Sequence, residues 1–393
     1  MTQSSVTLPP QASLGAWQWA KKNLFSSWFN SILTVFCMWL LYQVVSNVWN
    51  WATTVAKWQV VSSNLRLFLV GLYPVEEFWR LWIILAIAGS LLGISWGLWG
   101  RFSRFVAIAI GSLSIALAIL LPVYGISKFL ILVATGAIAV GFTAGQWIKR
   151  FGSSSLILAI AWFSSLPISL WLIGGNFGLT PVDVNVWNGL VLTLIVAISG
   201  IVFSFPLGVL LALGRQSDLP IIKIFCTLYI EIVRGLPLIG ILFMAQVMLP
   251  LFLPAGLEID RVLRAIAAFI LFSAAYLAEN VRGGLQSIPK GQAEAARALG
   301  LNTPLTIILI VLPQALKASI PALVGQFIGL FKDTSLVAIV GLVDLMGVAR
   351  TVLSQPEFIG RYAEVYLFVA LIYWIFCFSL SQASQKLEKK LQN

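Results

Sequence analysis

Histidine is absent from all 393 residues, cysteine occurs three times, and charged side chains make up only 10% of the chain. The first absence removes histidine-activated nucleophiles, histidine metal ligands and the usual side-chain proton switch near neutral pH. Cys37, Cys226 and Cys377 stand far apart in apolar surroundings. An odd number so spaced offers neither a disulfide framework nor a metal-ligand pattern, and packing is their expected role. The shortage of charge says most, because a soluble domain carries about a quarter charged residues. No Gly-x-x-x-x-Gly-Lys-[Ser/Thr] loop occurs, nor a soluble stretch long enough to fold a nucleotide domain. With only Glu231, Glu279, Lys317 and Lys332-Asp333 near membrane depth, a catalytic constellation is hard to assemble. No enzyme activity, catalytic residue or metal site is expected.

Hydrocarbon stands in place of charge. The hydrophobic fraction is 60% and the mean hydropathy +0.96. A helix needs about 20 apolar residues to cross about 30 Å of bilayer core. Runs of that length recur and predict an all-α polytopic membrane protein with about ten transmembrane helices. The expected spans are 31–49, 81–99, 105–123, 129–146 and 155–173 in the first half, then 189–213, 235–253, 262–281, 314–331 and 363–381.

Residues 1–30 read as an N-terminal lead, polar up to Gly15 and carrying Lys21-Lys22 before the first span. That span is too long for a cleaved signal peptide and no small-x-small site follows it, so retention is expected. Residues 50–79 mix Trp51, Trp58, Tyr73 and Trp79 with scattered charge, as an external connection lying at the interface would. The five spans of 31–173 read as a scaffold, because the last four carry no interior charge that would mark a path. Glycines four apart, Gly89, Gly93 and Gly97 in one span and Gly141 and Gly145 in another, suit close helix packing in lipid. Residues 174–187 are the clearest break in composition and read as an external linker.

The second half contains the most specific pattern in the chain. After Ile288-Pro289-Lys290-Gly291 comes the Ala-rich segment Glu294-Ala295-Ala296-Arg297-Ala298-Leu299-Gly300, and later Ile310-Val311-Leu312-Pro313. It is charged and helix-favouring between long apolar runs, so it must sit outside the bilayer. Glu294 and Arg297 can share one helical face, and Gly300 stands where a left-handed residue ends a helix. Glu-Ala-Ala, three residues, Gly, nine residues, Ile, one residue, Leu-Pro resembles the EAA loop of permeases of ATP-binding cassette (ABC) importers, here over 288–313. Leu211-Ala-Leu-Gly-Arg215, Arg234-Gly-Leu-Pro-Leu238, Ala275-Tyr-Leu-Ala-Glu-Asn-Val-Arg-Gly-Gly284 and Phe331-Lys-Asp-Thr-Ser-Leu336 are similar to the polar amino acid branch of that family. One departure is Leu236, where the family usually carries Thr. The resemblance covers 188–386, about half the chain, with 387–393 as a cytoplasmic tail. The extra first half is similar to the longer permeases of general L-amino acid importers.

The resemblance implies a type I importer permease core in the C-terminal half and an ATP-driven amino acid importer in a bacterial cytoplasmic (inner) membrane. It implies a separate ATPase in two copies, an extracytoplasmic amino acid binding protein, and a second permease, a heterodimer with a shorter relative being expected over a homodimer. No cofactor is expected in this chain, since ATP and Mg would be bound by the ATPase. Glu294, Ala295, Ala296, Arg297, Gly300 and Pro313 would couple to it. The rival reading is a gradient-driven carrier, which would usually show paired repeats and acids at the bilayer midplane. The two halves here do not visibly repeat each other.

Charge gives an independent reading of topology. With both ends cytoplasmic, the inner segments hold Lys21, Lys22, Arg101, Arg104, Lys149, Arg150, Arg215, Lys223, Arg282, Lys290, Arg297, Lys386, Lys389 and Lys390 and outweigh the outer ones. The net charge of +11 is then a signal of topology in lipid, and no nucleic-acid partner is expected. A zwitterion crossing these spans must exchange water for protein partners. The candidates are Glu231, Glu279, Gln326, Lys332, Asp333 and Thr334. The alternative for the carboxylates is local pairing at three-residue spacing, Glu231 with Arg234 and Glu279 with Arg282. The Gly-rich stretch from Thr334 to Gly360 is too long for a simple loop and fits a re-entrant segment lining a cavity.

Overall fold

The computed structural model describes residues 15–99, 125–149, 154–175, 178–254 and 256–392. The expected span at 105–123 and residues 1–14 of the N-terminal lead lie outside the described residues. Helix dominates, and the described residues hold only two isolated β-bridges, Gly71 with Trp187 and Gly189 with Asp344. Among the described residues seven helices are long and apolar enough to cross a membrane, eight if one bent pair is a single span.

The chain divides into two compact units, Met1–Gln59 and Val60–Asn393. In the first, α1 (Trp28–Asn50) starts at Ser27, whose hydroxyl accepts from the Asn30 amide at 3.2 Å, and runs on through a π turn to Val55. It is apolar on every side and buries no side chain, the surface a helix presents to hydrocarbon.

The second unit contains everything else. A short helix α2 (Leu65–Val70) precedes the long α3 (Phe78–Trp99), α4 (Gly125–Ile148) and α5 (Ser154–Gly174). The glycine ladders do what their spacing implies. Gly93 and Gly97 of α3 lie against the backbone at Ile138 and Phe142, and Gly141 and Gly145 of α4 against Ser90 and Ile94, so close that a Cβ at any of the four would strike a carbonyl.

The next helices are α6 (Gly189–Arg215), α7 (Pro220–Gly235), α8 (Leu238–Phe243) and α9 (Arg261–Ser287). The segment expected as one span at 235–253 is the second arm of a bent pair: Pro220–Gly235 meets Leu238–Phe252 at 102°. The cause is local. Pro237 cannot continue a helix and forces Leu236 into extended backbone. After α9 come α10 (Lys290–Ala298), α11 (Leu312–Asp333), α12 (Leu345–Leu353) and α13 (Tyr362–Gln392). The span expected at 314–331 extends at both ends, through a π turn at Thr306–Val311 and a 3-10 stretch at Thr334–Val340.

Helices α6 and α9 pack along their lengths; one apolar cluster joins them to α8, α11 and α13, and a second joins them to α7 and α11. Residues 60–71 were expected as an external interfacial connection, yet Val60 and Phe68 are fully buried beside α12 and α13. Tryptophans and charge on either side of 60–71 set the expectation, while the segment itself has no tryptophan and one charge, and its burial depends on which face meets α12 and α13. The start of α3 is clamped as well. Arg80, 1% exposed, pairs with Glu77 at 2.8 Å and donates to Thr180, while the Tyr73 hydroxyl donates to the Ile173 carbonyl at 3.0 Å. A buried guanidinium persists only when it is paired and bonded in this way.

Candidate functional site

The segment with the most specific sequence pattern forms an exposed helix. Helix α9 ends at Ser287, Pro289 turns the chain, and α10 begins at Lys290. Of α10, Ala296 is buried and Glu294, Ala295 and Arg297 are exposed. The Leu301 amide donates to the Ala296 carbonyl at 3.2 Å and the Gly300 amide to Arg297 at 2.9 Å. These are the two bonds of a Schellman ending, and Gly300 takes the left-handed backbone it requires, with φ +83°. The turn leaves Leu299 85% exposed at the tip. Glu294 and Arg297 form no ion pair among the described residues. Gln314 reaches back from α11, bonding the Ile310 carbonyl at 2.8 Å and Gln292 at 3.4 Å, and so ties α10 to the helix after it. Pro313 sits in the first turn of α11, where a missing amide does least harm.

A charge cluster joins three helices above it. Glu279 on α9 accepts from Arg215 of α6 at 3.3 Å, Arg234 of α7 at 3.5 Å and Arg282 of its own helix. Arg215 also pairs with Glu231 at 2.8 Å. Local pairing therefore holds for Glu279 with Arg282 and fails for Glu231, whose partner is Arg215. The helices, not the spacing, decide: α7 lies across α6 and α9, so Glu231 faces the end of α6 while Arg234 reaches Glu279 and stacks over Tyr276. One carboxylate thus holds the ends of three helices together, eight residues before α9 ends.

Lys332 is the polar wall of a pocket of about 540 Å³, lined also by Ser335, Met346, Tyr366, Val369 and Tyr373. No carboxylate lies within salt-bridge distance of its ammonium among the described residues. Gln326 and Asp333 do not line this pocket, and Glu231 and Glu279 belong to the separate cluster. Thr334 is buried, donating to the Phe331 carbonyl at 2.7 Å and meeting the Tyr373 hydroxyl at 3.4 Å. Of the sequence candidates for a path, Glu231 and Glu279 thus share one cluster, Lys332 lines the pocket with Thr334 bonded beside it, and Gln326 and Asp333 belong to neither. Behind the pocket, Asp344 caps α12 by accepting from the Gly347 amide at 2.8 Å. Burial pushes its carboxyl up to about 6, against amide donation that lowers it.

A family model described as binding-protein-dependent transport system inner membrane component matches residues 204–393. Over its whole length the chain is similar to the inner membrane amino-acid ABC transporter permease protein YhdY of Escherichia coli, 40% identical with 99% of this chain and 98% of that protein covered. The chain belongs to this family of ABC transporter permeases. It is 39% identical to the glutamate/glutamine/aspartate/asparagine transport system permease protein BztC of Rhodobacter capsulatus, over 98% of this chain and 95% of that one. It is 37% identical to the probable glutamine ABC transporter permease protein GlnP of Bacillus subtilis, where the match takes 91% of that protein and 51% of this chain. A solved amino acid ABC transporter is 32% identical over 51% of this chain and 92% of its own, with a TM-score of 0.47.

Membership decides between the two sources of energy: this is a permease of an ATP-driven importer and not a gradient-driven carrier. In such importers nucleotide is bound by a partner ATPase, and a binding protein is implied by the family's description. Three residues of this permease escaped sequence reasoning: Arg80, Asp344 and Gln246. Gln246 is buried in a π turn, donating to the Arg261 carbonyl at 2.6 Å, while its backbone carbonyl accepts from Arg264 at 2.7 Å. A lone polar residue in an apolar run was the available signal for it. Arg80 and Asp344 each have a partner three residues away, Glu77 and the Gly347 amide, but their second partners, Thr180 and Tyr373, lie on distant segments that local sequence does not mark.

Proposed function

We propose that this permease forms one side of a path for amino acids and couples to its ATPase through α10. The observation that carries the reading is the exposed α10, held at both ends by short turns to long apolar helices and tipped by Leu299. A helix so mounted moves as a rigid body with α9 and α11, so a force on its exposed face reaches the spans. Glu294, Ala295, Arg297, Gly300 and Leu299 would meet the ATPase on the cytoplasmic side. Ala296 and Pro313 would hold the helix in place. Both termini are then cytoplasmic, consistent with the distribution of basic residues.

The pocket at Lys332 is the place for cargo. Its volume lies within the usual range for small-molecule sites, and one cation with a few hydroxyls among apolar walls suits a carboxylate on a small ligand. The Glu279 cluster acts as a brace at the inner end, and Asp333 and Gln326 flank the route rather than bind. The names of full-length relatives favour amino acid cargo, the relative's name including glutamate and glutamine in one case. The complete importer would contain two ATPase copies, a binding protein and a second, shorter permease. The test is uptake in proteoliposomes by this permease with its ATPase and binding protein. ATP-dependent accumulation of amino acids supports the reading; accumulation driven by an ion gradient without ATP removes it.

A further inference from the structure

The first half of the chain reaches the pocket from behind. Helix α12 has Met346 on the pocket wall, and Val348, Ala349 and Val352 in a buried cluster that also contains Val60 and Phe68. Val369 of α13 belongs to both, lining the pocket and packing in that cluster. The ring of Phe68 meets that of Phe368 at 5.2 Å between centroids. Polar bonds fix the same junction: Gln355 donates to Asn64 at 3.3 Å, Gly189 to the Val343 carbonyl at 2.9 Å, and the Leu345 amide to Thr193 at 3.0 Å. Helix α2 therefore shares a buried cluster with α12 and with Val369, both of which contribute to the pocket wall.

Helix α2 lies outside the stretch matched by the family model. The match to GlnP takes only 51% of this chain, so about half of this permease, and with it room for elements such as α2, has no counterpart in that alignment. We infer that α2 is a specificity element of the long permeases: Phe68, acting through α12 and Val369, sets the width of the Lys332 pocket and so which amino acids pass. Phe68 is a positioning residue and does not touch cargo. The physical basis is close packing, which relays a change in volume to the next layer instead of absorbing it. Emptying the space of Phe68 lets Met346 and Val369 relax away from the pocket, and the wider pocket favours larger side chains. This inference rests on the reading of the pocket as the cargo site.

The test uses the full importer in proteoliposomes with saturating binding protein, and a panel of alanine, glutamine, glutamate and arginine. The readout is the ratio of maximal uptake rates of the larger amino acids to alanine. Phe68→Ala is expected to raise that ratio at least threefold, and Phe68→Leu to keep it near the wild-type value. Because Phe68→Ala and Met346→Ala loosen the same wall, the double variant should change the ratio by less than the product of the single effects. Should Phe68→Ala not be recovered from the membrane, Val60→Ala removes less volume from the same cluster, and a smaller rise in the same direction is expected. A uniform fall in uptake with an unmoved ratio, or multiplying effects in the double variant, overturns the inference. Wild type that moves the panel while the ratio stays fixed sinks only the role of α2. Wild type that moves none of the panel sinks the amino acid reading and this inference with it.

Discussion

Glu279 holds three guanidiniums from three helices, and its loss would leave Arg215, Arg234 and Arg282 facing one another. Breaking a buried pair by removing one partner costs roughly 3–5 kcal/mol, and with Glu279 23% exposed the lower end applies, about 3 kcal/mol. Glu279→Gln is therefore expected to lower the unfolding midpoint of the purified permease by several degrees. Glu231→Gln, removing a half-exposed partner of one arginine, should shift it by much less. Equal shifts in thermal unfolding of the two variants would show that Glu279 is no hub. Gly300 is a different kind of residue. Nothing lies within 4 Å of a Cβ placed on it, so any penalty comes from its left-handed backbone, about 1–2 kcal/mol for an ordinary residue. Gly300→Asp should reduce stimulation of ATPase activity by binding protein more than Glu294→Lys does, with normal insertion of both. Wild-type stimulation in Gly300→Asp would separate the turn from coupling.

Helix α10 and the α3–α4 pair make opposite predictions at the scale of elements. Leu299 buries almost nothing, so Leu299→Asp removes little from the fold, yet it changes the exposed tip that would meet the ATPase. Expected is loss of ATPase on co-purification with an unchanged unfolding midpoint; retention of a full complement would exclude the tip from the interface. In α4, Gly141 lies on the Ser90 backbone, and Gly141→Val must push the two helices apart. That variant should fall in membrane yield, while Cys37→Ala, on a helix with no buried side chain, should not. Immunoblotting of membranes compares them directly. The ladder and the EAA-type helix were legible because each is local: four-residue spacing and a fixed run of residues carry the contact or the turn. The 102° elbow before α8 was half legible: the Arg234-Gly-Leu-Pro-Leu238 run carries the proline that makes it, but apolar length alone gave 235–253 as one span.

For the whole molecule, the long form raises the question of its partner. A permease path needs two such subunits in the proposed assembly, and this chain already carries extra helices against its own core. Co-expression with a short permease encoded alongside it is expected to give a stable heteromer with the ATPase, identified by mass of the intact complex. A complex holding two copies of this chain and no short permease would overturn the heterodimer. Residues from Val60 onward form one compact unit, so most of the segment read as a scaffold packs together with the second half.

Composition alone determined that the chain lives in lipid, and the Glu294–Pro313 pattern determined the family, because both depend on which residues occur and at what spacing. Hydropathy along the chain also located the long spans, as a helix in hydrocarbon must satisfy its own backbone within one apolar run. Only the tertiary structure decided that Glu231 faces Arg215, that Arg80 is buried on Thr180, and that Phe68 packs on Phe368 of α13. Each of these is a meeting of side chains from distant helices. Such meetings are set by how the helices cross, and in apolar spans nearly every face is equally hydrophobic, so periodicity carries no record of which face meets which.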